Sequence, residues 1–494
     1  MLPFVVIQNH RAQWYYRKRM KVLIISTNSN QFPMPVMPLG ACLVADAAAR
    51  AGHEVRLLDL MFQQDPLRVV KRELEKRNPD IVGLSVRNID NNDIQSPNFF
   101  LKDILPLIDS VRGMTSAPVA LGGAAVSVMP EELLRYTGAS WAVLGDGETM
   151  FPMLLEKLSQ EEPPETLPGI AWIEKGTFNV NPCASSMNGC SCASPDFRRW
   201  IDLKTYLRRL STVPIQTKLG CQFSCVYCTY RKIEGSRYRL SDPEEVVDTI
   251  GKLTAGGLTH IEFVDNVFNS PYDHALSICE KVARARSRVS LESLELNPLS
   301  IDDTLIAAME RAGFSGIGIT VESASDSVLE GLGKGYTKEH VHKAAEVVRR
   351  HTLPCVWIFM MGGPNETEGT VRETLRFAER CIRPTDTVFL GMGIRVYPGT
   401  GLEAIARKQG LLSHSSAQML EPVFYLSPTV EYNWMRKQIE TSMNEHMNFM
   451  NSSSLSSPLL PSIHRLAYKV GLRSPLWKHT SFIRRGLRLL GMEV

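Results

Sequence analysis

The chain alternates short apolar strands with longer helical patterns twice, from Lys21 to about Ser159 and again from Ile215 to Gly391, which restricts it to parallel α/β architectures. In the first run, Val22 to Ser26, Glu54 to Leu58, Ile81 to Val86, Val119 to Leu121 and Trp141 to Leu144 read as strands of a doubly wound, Rossmann-like sheet. Ligands of such sheets sit outside the carboxyl ends of the strands. The loops 27–39, 87–96, 122–129 and 145–149 are therefore the ones to inspect. Gly122 and Gly123 permit close backbone approach, and Gly145, Asp146, Gly147 and Glu148 open a helix whose N-terminus can receive polar or anionic groups. In the second run, strands at Ile215 to Lys218, His260 to Val264, Ser293 to Leu296, Gly316 to Val321, Val356 to Met360 and Thr387 to Gly391 predict an open, partial (β/α)6 barrel. Its functional residues belong at the carboxyl ends of those strands.

Three cysteines, Cys221, Cys225 and Cys228, stand in a C-x3-C-x2-C cluster just after the first strand of the second run. Three thiolates can hold three corners of an iron-sulfur cubane and leave the fourth iron open to a small molecule. A structural zinc site normally takes four ligands in paired short spacings, and no second Cys/His pair follows at the expected distance. Merely reduced thiols are the remaining alternative; Lys218, Arg231 and Lys232 would favour thiolates here. A second trio, Cys183, Cys190 and Cys192, has a C-x6-C-x-C spacing that fits no cluster pattern.

At 494 residues the chain is too long for one core, and 44% hydrophobic with 22% charged residues is ordinary globular usage. A net charge of +3, without a long basic run interleaved with aromatics in the first 450 residues, gives no expectation of a nucleic-acid partner. Ten cysteines without a paired pattern suit a reducing cytoplasm. No apolar run reaches transmembrane length, and Met1 to Arg19 is a poor signal peptide, with Met20 an alternative start at the first strand. Gly, Pro, Ser and Cys enrichment marks a connector with one hairpin at Gly169 to Val180. The expected boundaries are 20–160 for the first domain, 161–208 for the linker, 209–412 for the barrel and 413–494 for a mostly helical region.

The cysteine spacing, with Tyr227 just before the third cysteine, resembles the radical S-adenosylmethionine (SAM) superfamily. The Gly122-Gly123 loop followed by Pro130-Glu131-Glu132, with the Gly-Asp-Gly-Glu turn, resembles the cobalamin-binding domain at the N-terminus of many radical SAM proteins. Lys334-Gly335-Tyr336-Thr337 and Arg395 to Thr400 extend the resemblance to about residues 20 to 410. It implies three cofactors: a four-iron four-sulfur cluster on Cys221, Cys225 and Cys228, SAM, and cobalamin. Implied SAM contacts are Tyr227, Asp265, Asn266, Asn297, Glu322, Ser323, Gly362 and Gly363, although Asp265 and Asn266 also suit a helix cap. Implied cobalamin contacts are Arg87, Asn88, Gly122, Gly123, Gly145, Asp146, Gly147 and Glu148. The Asp-x-His-x-x-Gly motif is absent, so a histidine on cobalt is not expected; Arg87 or Asn88 would lie against the lower corrin face, unless Arg87 simply pairs with Asp90 or Asp93.

The resemblance implies a methyltransferase acting on a carbon of a small or lipid-like molecule, with no catalytic residue assigned beyond the cofactor sites. One SAM would methylate cobalamin; a second, cleaved at the cluster, would give a 5'-deoxyadenosyl radical that activates the substrate. The alternatives are non-methylating radical oxidation, cyclisation or ring rearrangement with cobalamin as electron shuttle, and a sensor that binds both cofactors without turnover. A reductant protein such as a flavodoxin or ferredoxin is implied. Aromatic and Met stripes after about residue 414 suggest the core of a terminal helical unit before they suggest a pocket. From Ser462 onward the tail is basic and amphipathic, a solvated helical face or a surface for weak membrane contact.

Overall fold

A computed structural model describes residues 18–183, 191–192, 194–412, 419–489 and 491. Seven strands build the first sheet: β1 (Lys21–Ser26), β2 (Glu54–Asp59), β3 (Ile81–Ser85), β4 (Val119–Gly122), β5 (Trp141–Val143), β6 (Ile170–Glu174) and β7 (Thr177–Val180), in the order β2-β1-β3-β4-β5-β6-β7. The first five are parallel. Leu23 and Ile25 face one helical layer and Val22 and Ile24 the other, all nearly inaccessible to solvent, as helices on both faces require.

The hairpin at Gly169 to Val180, expected within the linker, instead extends the sheet, with β6 antiparallel to β5 and β7 antiparallel to β6. Ile170 and Ala171 are wholly buried there, so the hairpin covers the edge of β5 that would otherwise present unpaired backbone groups. The first sheet therefore runs to Val180, past the expected boundary at 160.

In the second half, β8 (Val213–Ile215), β11 (His260–Phe263), β12 (Ser290–Leu296), β13 (Phe314–Glu322), β14 (Cys355–Met361) and β15 (Thr387–Met392) are the six expected barrel strands, all parallel. Two short ribbons flank them, β9 (Lys218–Leu219) with β10 (Arg239–Leu240), and β16 (Ile394–Arg395) with β17 (Phe424–Tyr425). The single strand read from Ile215 to Lys218 is broken in two. Asp265 accepts the backbone N–H of Thr217 at 2.7 Å and of Lys218 at 3.2 Å and turns the chain out of the barrel ladder. The region after 413 is less purely helical than expected, since β18 (Phe449–Asn451) pairs parallel with β15 and makes the sheet seven-stranded, open between β18 and β8.

The barrel helices start where their sequence dictates. Asp242, Asp302 and Thr367 accept backbone N–H groups at their N-termini, and Gly313 closes the helix Asp303–Ala312 at a φ of 91° that a side chain would resist. One apolar core runs from Val22 and Ile24 through Phe197, Trp200 and Tyr206 of the connector to Phe263 and Leu291 of the barrel. Buried polar links lock the halves: Tyr206 donates to Asp59 at 2.7 Å, Trp200 to Asp46 at 2.6 Å, and Arg395 pairs with Asp90 at 2.8 Å.

Candidate cofactor and active site

The three cysteines lie on a loop tied to its neighbours by backbone hydrogen bonds. Cys221 N donates to Gly235 O at 3.1 Å, Val226 N to Leu332 O at 3.0 Å, and Leu402 N to Val226 O at 2.8 Å, so the loop is pinned at its start and its middle. Gly220 enters it at φ 89°, where an added Cβ would stand 2.0 Å from Arg237 O. All three thiols are free, and each of Cys221 and Cys228 feels the charge of the other cysteines. Burial pushes the Cys221 thiol up and that of Cys228 up to about 12; bonded iron would be the charge that draws them to thiolates. Among the described residues no three His, Cys, Asp or Glu side chains converge tightly enough for a single metal ion. The C-x3-C-x2-C set supplies three thiolates, one for each of three irons of a cubane, without the fourth ligand that a structural zinc site takes.

Tyr227 projects from the same loop and donates to Glu322 at 2.7 Å. Glu322 ends β13 at φ 63°, a left-handed conformation that costs energy outside glycine and gathers at functional sites. Lys334 approaches the same carboxylate oxygen at 3.0 Å and the Tyr227 hydroxyl at 3.1 Å, with Lys334 and Glu322 buried and Tyr227 half-buried. Burial would strip the charge from Lys334, but Glu322 and Tyr227 outweigh it and hold the ammonium well above its ordinary range. Both donors use Glu322 Oε1; among the described residues Oε2 accepts no hydrogen bond and is left for a ligand.

The other implied SAM contacts divide. Asp265 is wholly buried and spends its oxygens on Thr217 and Lys218, so it secures the cluster loop and is not a free ligand. Asn266 donates to Gly220 O at 3.0 Å and Glu234 at 2.8 Å, yet its Oδ1 is buried without a partner. Asn297 Oδ1 accepts from Leu299 N at 2.9 Å and caps the turn after β12, in place of the SAM contact that the resemblance implied. The Ser323 hydroxyl turns away to Thr374 at 3.1 Å. Beside Gly362 and Gly363 the space is filled by Leu426 and Leu332, within 2.5 and 3.0 Å of an added Cβ, so these glycines serve chain packing instead of forming an open ligand wall.

At the carboxyl ends of β1, β3, β4 and β5 lies a cavity of ≈ 270 Å³, at the switch point of the sheet where a doubly wound fold binds its ligands. Gly122, Gly123, Gly145, Asp146, Gly147 and Glu148 all line it. Gly122 has nothing within 4 Å of an added Cβ, so its missing side chain leaves real room, whereas Gly123, at φ 103°, is pressed against Val86 O. Asp146 differs from its expected role: it is ion-paired to Arg239 of the β9–β10 ribbon and ties the turn to the barrel. The far wall is Gln216, Leu219, Ile233 and Glu234, which bracket the cysteine loop. Glu234 gathers the Gly220 N–H, the Gln216 amide and the Asn266 amide, and burial pushes its carboxyl up to about 7.

Arg87 and Asn88 are exposed on the loop after β3 and are not among the residues lining this cavity. Asp90 is committed to Arg395, and among the described residues Arg87 forms no ion pair with Asp90 or Asp93. The Arg87 charge acts at a distance on Tyr230 and Glu262 of the barrel half. Cys190 lies outside the described residues; Cys192 is buried beneath Thr249, and Cys183 packs by Gly145.

Sequence reasoning missed Glu295. It sits near the carboxyl end of β12, partly buried, within reach of the charges of Glu322, Lys334 and Glu262. Burial and then the Glu322 charge push its carboxyl up to about 8. The available signal was two glutamates, Glu292 and Glu295, within one strand, Ser290–Leu296, in the interior of the barrel sheet.

Comparison with known proteins agrees with this architecture. Residues 26–155 match the B12 binding domain and residues 215–378 the Radical SAM superfamily. The tryptophan 2-C-methyltransferase of Streptomyces laurentii is 24% identical over 439 residues, 76% of this chain and 73% of that one. The hopanoid C-3 methylase of Methylococcus capsulatus is 27% identical over 256 residues, 50% of this chain and 45% of that one. The structure of the radical SAM methyltransferase TsrM from Kitasatospora setae, with cobalamin and a [4Fe-4S] cluster bound, superimposes with a TM-score of 0.83 at 22% identity, over 96% of this chain and 100% of that one. A B12-binding sheet followed by a radical SAM barrel defines a class of enzymes built around two reactive cofactors. The chain is a cobalamin-dependent radical SAM enzyme, and its cofactors are a four-iron four-sulfur cluster, SAM and cobalamin.

Proposed function

We propose that the protein transfers a methyl group from SAM to a carbon atom of a small-molecule substrate. One observation carries this reading: Gln216, Leu219, Ile233 and Glu234, which flank the cysteine loop in the chain, also line the first-domain cavity, so the two cofactor regions are neighbours. When bound, the cluster supplies the electron that cleaves SAM and cobalamin carries the methyl group. Cys221, Cys225 and Cys228 hold the cluster, while Glu322 Oε2 and Asn266 Oδ1 offer acceptors for hydroxyl or amine hydrogens of SAM. Gly122 and the Gly145 turn would hold cobalamin in the first-domain cavity, and Arg87, outside that cavity, is not part of this reading. A carbon acceptor is supported by the similarity to the tryptophan and hopanoid methylases.

Electron delivery by a reductant protein such as a flavodoxin or ferredoxin belongs to this reading, as does the division into a first domain, connector, barrel and terminal region. Reconstitution with iron, sulfide and cobalamin, followed by mass spectrometry with methyl-deuterated SAM, tests it. Both S-adenosylhomocysteine and 5'-deoxyadenosine support methyl transfer. 5'-Deoxyadenosine alone would favour non-methylating radical chemistry, and neither product, with a bound cluster and cobalamin, would favour a sensor.

A further inference from the structure

The last two helices are built inside out. In the helix Thr480–Leu489, Arg484 points inward at 5% exposure and donates to the backbone oxygens of Met443, His446 and Phe449, which end a helix and begin β18. Phe482 and Leu489, seven residues apart and so on one face, point outward at 76% and 88% exposure. Around the helix Leu460–Lys469 the pattern repeats, with Leu466 at 62% and Val470 at 64% exposed, four residues apart, while His464 and Ala467 are buried. A soluble surface does not place its largest apolar side chains outward and its arginine inward.

Charge singles out what covers these faces. Between His446 and Met492 there is no Asp or Glu, whereas Arg465, Lys469, Arg473, Lys478, Arg485 and Arg488 are all present; the rest of the chain carries more acidic than basic residues. Arg485 and Lys469 are exposed between the apolar side chains. A second copy docking through the same face would set arginine against arginine under two-fold symmetry. A bilayer with anionic headgroups accepts both features, apolar side chains below and basic groups at the headgroup level. No helix of the described residues is long and apolar enough to cross a membrane, so contact is in the surface plane.

The tail is also rigidly joined to the barrel. Ser474 donates to Glu292 at 3.4 Å, Thr387 to the backbone oxygen of Trp477 at 2.7 Å, and the Trp477 ring fills the space beside Gly316. These are residues at the amino ends of β12, β15 and β13, the barrel end opposite the cysteines. We infer that Phe482, Leu489, Leu466 and Val470, with Arg485 and Lys469, form a docking face for an anionic lipid surface, which would hold the enzyme with its cofactor end turned toward the cytosol-facing solvent. The inference is independent of methyl transfer.

Vesicle flotation of the full-length protein tests it, with vesicles of phosphatidylcholine alone or mixed equally with phosphatidylglycerol. The intact protein is expected to float with the mixed vesicles at low salt, and at least about tenfold less with neutral vesicles or at high salt. Phe482→Ser with Leu489→Ser, and separately Arg485→Glu, should each abolish flotation while far-ultraviolet circular dichroism and iron content stay unchanged, since these side chains are exposed. Absence of flotation by the intact protein, or equal flotation by the variants, overturns the inference. So does a dimer in light scattering that Phe482→Ser and Leu489→Ser convert to monomer without vesicle binding, which would assign the face to a second copy.

Discussion

The Tyr227 hydroxyl lies 2.7 Å from Glu322, joining the loop that carries the cysteines to the strained end of β13. Because Lys334 binds the same oxygen, the carboxylate is fixed before any ligand arrives, and a group recognised by Oε2 is placed relative to the cluster by one short chain of contacts. Replacing Lys334 by Met leaves Glu322 as a buried, uncompensated charge, with an expected loss of about 3–5 kcal/mol of stability. Tyr227→Phe removes one hydrogen bond to a charged group and should cost about 1.5–3 kcal/mol. Thermal denaturation of both variants checks the order; equal losses would mean that Lys334 is not the principal partner.

Gly220→Ala should prevent cluster assembly, because the new methyl group meets backbone at 2.0 Å in a left-handed conformation. Gly235→Ala shares the unfavourable φ, at 93°, but meets nothing within 4 Å, and should retain iron with a loss of about 1 kcal/mol. Iron content after reconstitution separates the two.

Arg395 and Asp90 are 3% and 0% exposed and join the loop after β3 to the barrel. Arg395→Met should destabilise the protein by about 3–5 kcal/mol, with Asp90 left unpaired. Restoration of the melting temperature by the double change with Asp90→Asn is the expected signature of that pair, and its absence would place the loss elsewhere.

Stability of the cofactor-free protein should fall as pH rises from about 5 to about 8. Burial raises the folded pKa of Glu295 to about 8 and of Glu234 to about 7, from 4.5, so between these values the folded state binds more protons than the unfolded one. The contribution is present in full below the unfolded pKa and is lost as pH climbs through the folded value. Glu295→Gln should match the wild type at pH 5 and melt higher at pH 8; a parallel dependence on pH in both proteins would remove Glu295 as a cause.

Much of this architecture was legible in sequence because periodicity reports burial: Val22 to Ser26 and Val356 to Met360 are apolar on both faces, as strands between two helical layers must be. The cysteine loop and the cavity glycines were legible because few residue types permit their geometry. What escaped depends on partners far apart in the chain. Asp265 suits a ligand and a structural acceptor equally well, and only the fold brings Thr217 and Lys218 to it. Gly362 and Gly363 could not be told from a ligand wall until Leu426 and Leu332 were seen beside them. Glu295 needs the assembled barrel to reveal its charged neighbours, and the hairpin after Gly169 has no local signal for the sheet edge that it covers.

The central claim is that cobalamin occupies the cavity at Gly122, which neighbours the cluster loop. Cobalamin and iron bound per chain after anaerobic reconstitution, measured for the wild type and for Gly122→Phe, test it most directly, since the open space beside Gly122 lets the ring enter the cavity without clashing with the fold. The account predicts about one cobalamin and about four irons in the wild type, and a variant that keeps its iron but loses cobalamin. Equal cobalamin in both proteins would contradict it.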